Sequence, residues 1–170
     1  MSLTSADTYY VKALSAFGRD FDCSMESLNY ALGCDPDHAP SNCLMGIFYM
    51  EVFKNYDKAE EYFGYAIAGD PKYPETYELF SKVLIWKGDM RHAQRLINFG
   101  FKLPGVDKAV LHARRAQIYE IQNQPKLAIK AFKTALEHSY CTGYQWHFEN
   151  ELARVKKKAK QLKKLKKKKK

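Results

Sequence analysis

Long apolar runs are missing from this 170-residue sequence. No uninterrupted stretch approaches the roughly 18 apolar residues that a membrane-spanning helix needs. The opening Met-Ser-Leu-Thr-Ser-Ala-Asp also lacks the basic-then-apolar order of a secretory leader. A soluble, cytoplasmic chain with no membrane span is therefore expected. Phosphate-cradling and nucleophile signatures are absent as well: the sequence holds no Gly-x-Gly-x-x-Gly, no Gly-x4-Gly-Lys-Ser/Thr and no Gly-x-Ser-x-Gly. Cysteine is scarce and irregularly placed, at Cys23, Cys34, Cys43 and Cys141, which reads as reduced thiols rather than a disulfide framework. Neither Cys34-x3-His38-x4-Cys43 nor His138-x2-Cys141-x5-His147 has the paired spacing of common zinc sites. No enzyme activity, metal or cofactor is expected.

Acidic residues are missing from one end. Residues 154–170 hold 12 of the 28 Lys and Arg and none of the 19 Asp and Glu, so the remainder, with 16 against 19, carries −3 while the whole carries +9. The first 80 residues have 5 basic and 13 acidic groups, whereas residues 81–153 have 11 and 6. From Phe148 the apolar residues Leu152, Val155, Ala159 and Leu162 step by four, three, four and three, placing them on one face of a basic helix. We read residues 139–165 as this amphipathic capping helix, with Tyr144, Trp146 and Phe148 covering the apolar end of the preceding helices. The lysines at 166–170 repel one another and are expected to be disordered when unbound. Lys156, Lys157, Lys158, Lys160, Lys163, Lys164, Lys166 and Lys167 are the candidate polyanion contacts. Nucleic acid, an acidic protein, the chain's own acidic half, an anionic membrane surface and a merely solubilising role all remain open for them. No aromatic residue follows Phe148, which speaks against base stacking there.

What is present is a repeat. Small and apolar residues recur as Ser24/Leu28/Ala31/Pro36, Ala59/Phe63/Ala66/Pro71, Ala93/Ile97/Gly100 and Ala128/Phe132/Ala135, with leading residues 35, 34 and 35 apart. Each is preceded by a bulky-small-x-x-bulky signal: Tyr10-Val11-x-x-Leu14, Met45-Gly46-x-x-Tyr49, Phe80-Ser81-x-x-Leu84 and Arg115-Ala116-x-x-Tyr119. Such a period marks stacked supersecondary units that share a core. Small residues on both helices of a pair allow close approach, and Phe63, Ile97 and Phe132 fill the seam. The spacing predicts helices at 5–18, 22–34, 38–53, 56–69, 73–87, 90–103, 107–122 and 125–138, punctuated by Gly18-Arg19-Asp20, Asn55-Tyr56-Asp57 and Gly88-Asp89. Repeats one and two place ten residues rather than nine between the halves of the signal. In repeat two we assign the extra residue to the turn at Phe53–Asp57.

With these motifs the sequence resembles the tetratricopeptide repeat family over residues 4–138. The implied fold is all-α: a right-handed solenoid of about four helix-turn-helix repeats (4–37, 38–72, 73–106 and 107–138) with a C-terminal capping helix. Val11, Ser24, Gly100 and Pro104-Gly105 depart from the family pattern. The resemblance implies non-catalytic binding of a protein or peptide in a groove lined by the first helices. Carried over by position, its residues are Lys12, Cys43, Ile47, Met50, Glu51, Glu78, Lys82, Ile85, Trp86, Gln117, Glu120 and Ile121. The carboxylate clamp of chaperone-tail binders is not matched, since of Thr8, Lys12, Leu44, Glu75, Leu79, Cys43, Ile47, Val110 and Arg114 only Arg114 fits. A secretion-chaperone-like role is a further alternative, on length and architecture alone. Homodimerisation is a possibility raised by Tyr9, Tyr10, Phe17 and Phe21 at the N-terminal end.

Overall fold

The computed structural model of the chain describes residues 3–168, with side-chain surroundings given through Lys164. The helices are α1 (Ser5–Ala16), α2 (Phe21–Cys34), α3 (Ala39–Ile47), which runs on into a π-helical turn (Phe48–Val52), α4 (Tyr56–Gly69), α5 (Pro74–Lys87), α6 (Met90–Gly100), α7 (Lys108–Ile121), α8 (Pro125–Glu137) and α9 (Thr142–Lys168). Among the described residues there is no strand. The helix starts are chemically dictated: Thr4 forms a capping box with Asp7, and Asp20, Asn55, Asp89 and Asp107 each accept a backbone N–H as N-caps. Pro36 and Pro71 stand just beyond α2 and α4, where Asp35 and Asp70 turn the chain by accepting from the N–H two residues on.

The chain divides into two compact units, residues 1–87 and 88–170. The boundary falls between α5 and α6, the pair that the spacing groups as the third repeat. In the first unit Leu28, Leu44, Met45 and Phe48 form a core with Ala13, and Phe17 meets Phe48 edge-on at 5.0 Å. Tyr10 and Phe17, expected at an open N-terminal face, pack against this core, while Phe21, Val11 and Leu14 remain about half exposed. Gly46 sits directly under the ring of Phe63, which in turn stacks on Phe80 at 5.8 Å.

In the second unit Phe148, Leu152 and Val155 of α9 are buried with Ala109, Ala113 and Ala116 of α7 and Ala128, Ala131, Phe132 and Ala135 of α8. The first half of α9 is therefore core. Trp146, expected to share this cap, is 69% exposed because it lies two residues from Phe148, on the opposite side of the helix. Tyr144 is half exposed and stacks on Phe148 at 5.8 Å. α9 continues to Lys168. Lys169 and Lys170, the end of the expected disordered tail, lie outside the described residues, as do the side chains of Lys166 and Lys167.

Four residues with positive φ mark the turns inside the helix pairs: Gly18 (80°), Lys54 (52°), Gly88 (86°) and Asn123 (57°). They give a register that spacing alone lacks. From the aromatic or leucine marker to this residue is four positions in three cases (Leu14–Gly18, Leu84–Gly88, Tyr119–Asn123) and five in the second (Tyr49–Lys54). The extra residue of repeat two is thus in the helix and not in the turn where we placed it. The π turn absorbs it, with Phe53 N–H donating to Phe48 O at 3.1 Å. Repeat one keeps its extra residue after Gly18, in the turn proper.

Lys54 holds this left-handed conformation against its Cβ, and its ion pair with Glu51 at 3.5 Å is solvent-exposed. Lys54→Gly is expected to raise stability by up to about 1 kcal/mol, read as a higher urea midpoint at unchanged slope. An unchanged midpoint would mean that the turn relaxes without strain.

Candidate functional site

The structure sorts the residues assigned to the groove into three groups. Cys43, Met50 and Ile85 are buried, at 3%, 1% and 7% exposure, and cannot line an open surface. They occupy the side of α3, its π turn and α5 that faces neighbouring helices. Burial pushes the Cys43 thiol up to about 12, so it is an inert packing residue. A second group is partly or fully accessible in the first unit: Lys12 on α1, Ile47 on α3, Glu51 in the π turn, and Glu78, Lys82 and Trp86 on α5. The third, Gln117, Glu120 and Ile121, lies on α7 in the second unit.

Three of the accessible residues form one constellation. Lys82 Nζ donates to Glu51 Oε1 at 2.6 Å and stands 4.6 Å above the ring of Trp86. Tyr56, at the start of α4, meets Trp86 edge-on at 5.4 Å. The Glu51 carboxyl is held below the usual carboxylate range, chiefly by the hydrogen bond from Lys82. Trp86 is 48% exposed, yet bracketed by a cation over its ring and an aromatic at its edge. The π turn also brings out Val52 and Phe53, the latter 55% exposed, beside this cluster in sequence. Lys87, next to Trp86, bridges Asp57 and Glu60 of α4. Tyr56 and Phe53 were not picked out from the sequence. Their signal was available as two aromatics flanking a turn.

In the second unit Glu120 is almost enclosed. It accepts two bonds from Arg154, at 2.7 and 2.6 Å, and one from Lys158 at 2.9 Å, while Glu151 also holds Arg154. Arg154 lies 34 residues after Glu120, one repeat period. These bonds lower the Glu120 pKa, led by that from Arg154. Gln117 accepts from Arg114 at 3.2 Å, and Ile121 is 57% exposed. Of the tail lysines, Lys156, Lys157, Lys160, Lys163 and Lys164 are exposed, and Lys158 is tied to Glu120.

His38 Nε2 meets Asp7 at 3.1 Å and its Nδ1 meets Ser41 at 2.8 Å, tying the start of α3 to α1. His112 lies flat on His138 at 5.4 Å. Burial first, then the neighbouring Arg115 and His138, hold its pKa down at about 4. All four cysteines are free thiols, and among the described residues no three His, Cys, Asp or Glu side chains converge on a metal-sized site. Among those residues no helix is long and apolar enough to cross a membrane.

No protein-family model matches the sequence, and no curated protein does. Solved structures do. PilF of Pseudomonas aeruginosa superposes with a TM-score of 0.80 at 16% identity, covering 92% of this chain and 70% of that one. A thermophilic tetratricopeptide protein of Thermus thermophilus gives 0.69 at 13% identity over 88% and 80% of the two chains. The chain has a tetratricopeptide repeat fold. MamA of Desulfovibrio magneticus adds a TM-score of 0.69 at 14% identity over 96% of this chain and 98% of its own. The all-α solenoid class expected from the 34–35-residue period is thus the observed one. At such identities the tetratricopeptide likeness shows the fold alone, and the function must come from the surface of this chain.

Proposed function

We propose that this tetratricopeptide chain is a non-catalytic scaffold that binds a protein or peptide, and that the Glu51–Lys82–Trp86–Tyr56 constellation of the first unit is its contact point. The exposed but pre-positioned Trp86 carries this reading. A large aromatic already held by Lys82 and Tyr56 loses little freedom on binding, which is the property of an interface anchor. Glu51 and Lys82 offer an acceptor and a donor beside it, so the matching ligand is an extended or amphipathic segment with one apolar side chain flanked by polar groups. The test is selection of displayed peptides on the intact chain, followed by measurement on Trp86→Ala. Loss of about 2 kcal/mol, roughly thirtyfold in affinity, is expected for an anchor of this kind. Selected peptides that bind Trp86→Ala unchanged would refute the assignment.

A second reading is favoured by charge. Residues 88–170 hold 21 Lys and Arg against 6 Asp and Glu, net +15, whereas residues 1–87 hold 7 against 13, net −6. Of those six acids, Glu120 and Glu151 are committed to Arg154 and Lys158, and Asp89 and Asp107 to N-caps. The exposed lysines of α9 therefore suit a polyanion. Binding through them should fall by orders of magnitude between 50 and 200 mM salt, whereas binding through Trp86 should persist.

A further inference from the structure

Beyond Val155 the apolar stripe of α9 is no longer fully covered. Ala159 and Leu162 face the start of α8 across a notch of about 450 Å3, whose opposite wall is Pro125, Leu127 and Ile129. Leu127 is 45% exposed. The rim is cationic: Lys126 and Lys163 border the notch, and Lys160 and Lys164 stand exposed on the same stretch of helix. No acidic residue lies in α9 after Glu151, so nothing on this helix neutralises the rim.

We propose that this notch and its lysine rim are a docking site for an acidic amphipathic protein segment, which seats an apolar side chain between Leu127 and Leu162 and places carboxylates against Lys126, Lys160, Lys163 and Lys164. The inference rests on the second reading above and commits it to one partner chemistry. Two features favour a protein segment over nucleic acid. Pro125, Leu127, Ile129, Ala159 and Leu162 make up most of the notch lining beside the polar Asn123 and Gln124, so the notch suits an apolar side chain, which a phosphate backbone does not supply, and no aromatic side chain of α9 after Phe148 is available to stack on a base. Carboxylates on an amphipathic helix satisfy both the rim and the notch at once.

The test uses the full chain and three probes at 150 mM salt: a 16-residue peptide with Glu on one helical face and Leu on the other, the same peptide with Ser for Leu, and a single-stranded oligonucleotide of equal charge. The first peptide is expected to bind about tenfold or more tightly than the Ser peptide. It should lose about tenfold in Leu127→Ser and at least as much in the triple variant Lys160→Gln, Lys163→Gln, Lys164→Gln. Leu127 is exposed enough for its variant to fold, which an unchanged melting curve would show, and Leu162→Ser repeats the test from α9. Equal binding of the two peptides, or no loss in both leucine variants, overturns the proposal. If the oligonucleotide then still binds and salt releases it, the polyanion reading stands without the notch. If no probe binds, both fail.

Discussion

Gly46→Ala will destabilise the first unit by about 1–3 kcal/mol, although alanine is the better helix former by about 1 kcal/mol. A Cβ at this position in α3 would lie 2.7 to 2.9 Å from three ring carbons of Phe63. Phe63 is fully buried and stacked on Phe80, so the ring has nowhere to retreat. Gly64, the next residue along α4, is the internal control. It is exposed, no atom comes within 4 Å of the place a Cβ would take there, and Gly64→Ala should stabilise by about 1 kcal/mol on helix propensity alone. Phe63→Leu alone leaves a gap and costs stability, but it also makes room, so the double variant Gly46→Ala/Phe63→Leu should lose less than the sum of the singles. Urea unfolding of the four proteins measures that coupling. Strict additivity, or a neutral Gly46→Ala, would show that the two helices do not approach as closely as described.

This contact explains why the fold was legible. Gly46, Ser81 and Ala116 and their large partners recur because two helices of a pair can touch only where one side chain is small, and that requirement is written at fixed spacing. Gly18 and Gly88 likewise announce turns, since glycine adopts positive φ without cost. Lys54 and Asn123 take the same conformation without announcing it. The inserted residue of repeat two therefore could not be placed, because one extra residue shifts the spacing equally whether it enters the helix or the turn.

The proposed binding surface was less legible, for a related reason. Cys43, Met50 and Ile85 were assigned to the groove by family position, but which residues of a first helix stay open depends on how closely the next repeat packs against them. The Glu51–Lys82–Trp86 triplet stays accessible because its residues are polar or large enough to reach past that packing. Tyr56, at the start of α4 just after the π turn, meets Trp86 across helices that sequence spacing does not relate. The lysine cluster was plain in composition. What composition could not show is that α9 is two things in one helix: core up to Val155, and an open apolar edge with a cationic rim beyond it.

That division gives the other large expected effect. Val155→Asp should destabilise the second unit by more than about 3 kcal/mol, combining the loss of about 1.5–2 kcal/mol of apolar burial with the several kcal/mol of a buried, unpaired carboxylate. Val155 is 1% exposed, in a buried cluster of alanines with Phe132, Phe148 and Leu152, against which Tyr119, Ile129 and Leu136 also pack. Ala153→Asp, two residues away on the exposed side of the same helix, should change stability by less than about 0.5 kcal/mol. Urea unfolding followed by circular dichroism compares them, and hydrogen exchange should show the loss of protection in α7 and α8 for Val155→Asp alone. Because α9 is core up to Val155, a truncation that removes the lysines must leave that residue in place. A chain ending at Ala153 loses Val155 and the Arg154–Glu120 bridge, and should also be destabilised, by less than Val155→Asp because it buries no carboxylate. A chain ending at Lys160 keeps both and removes Lys163, Lys164 and the lysines beyond them, so only the longer chain separates the charge of α9 from its place in the core. If the chain ending at Ala153 proves as stable as the intact protein, the seat assigned to Val155 is wrong, and the core part of α9 ends at Leu152.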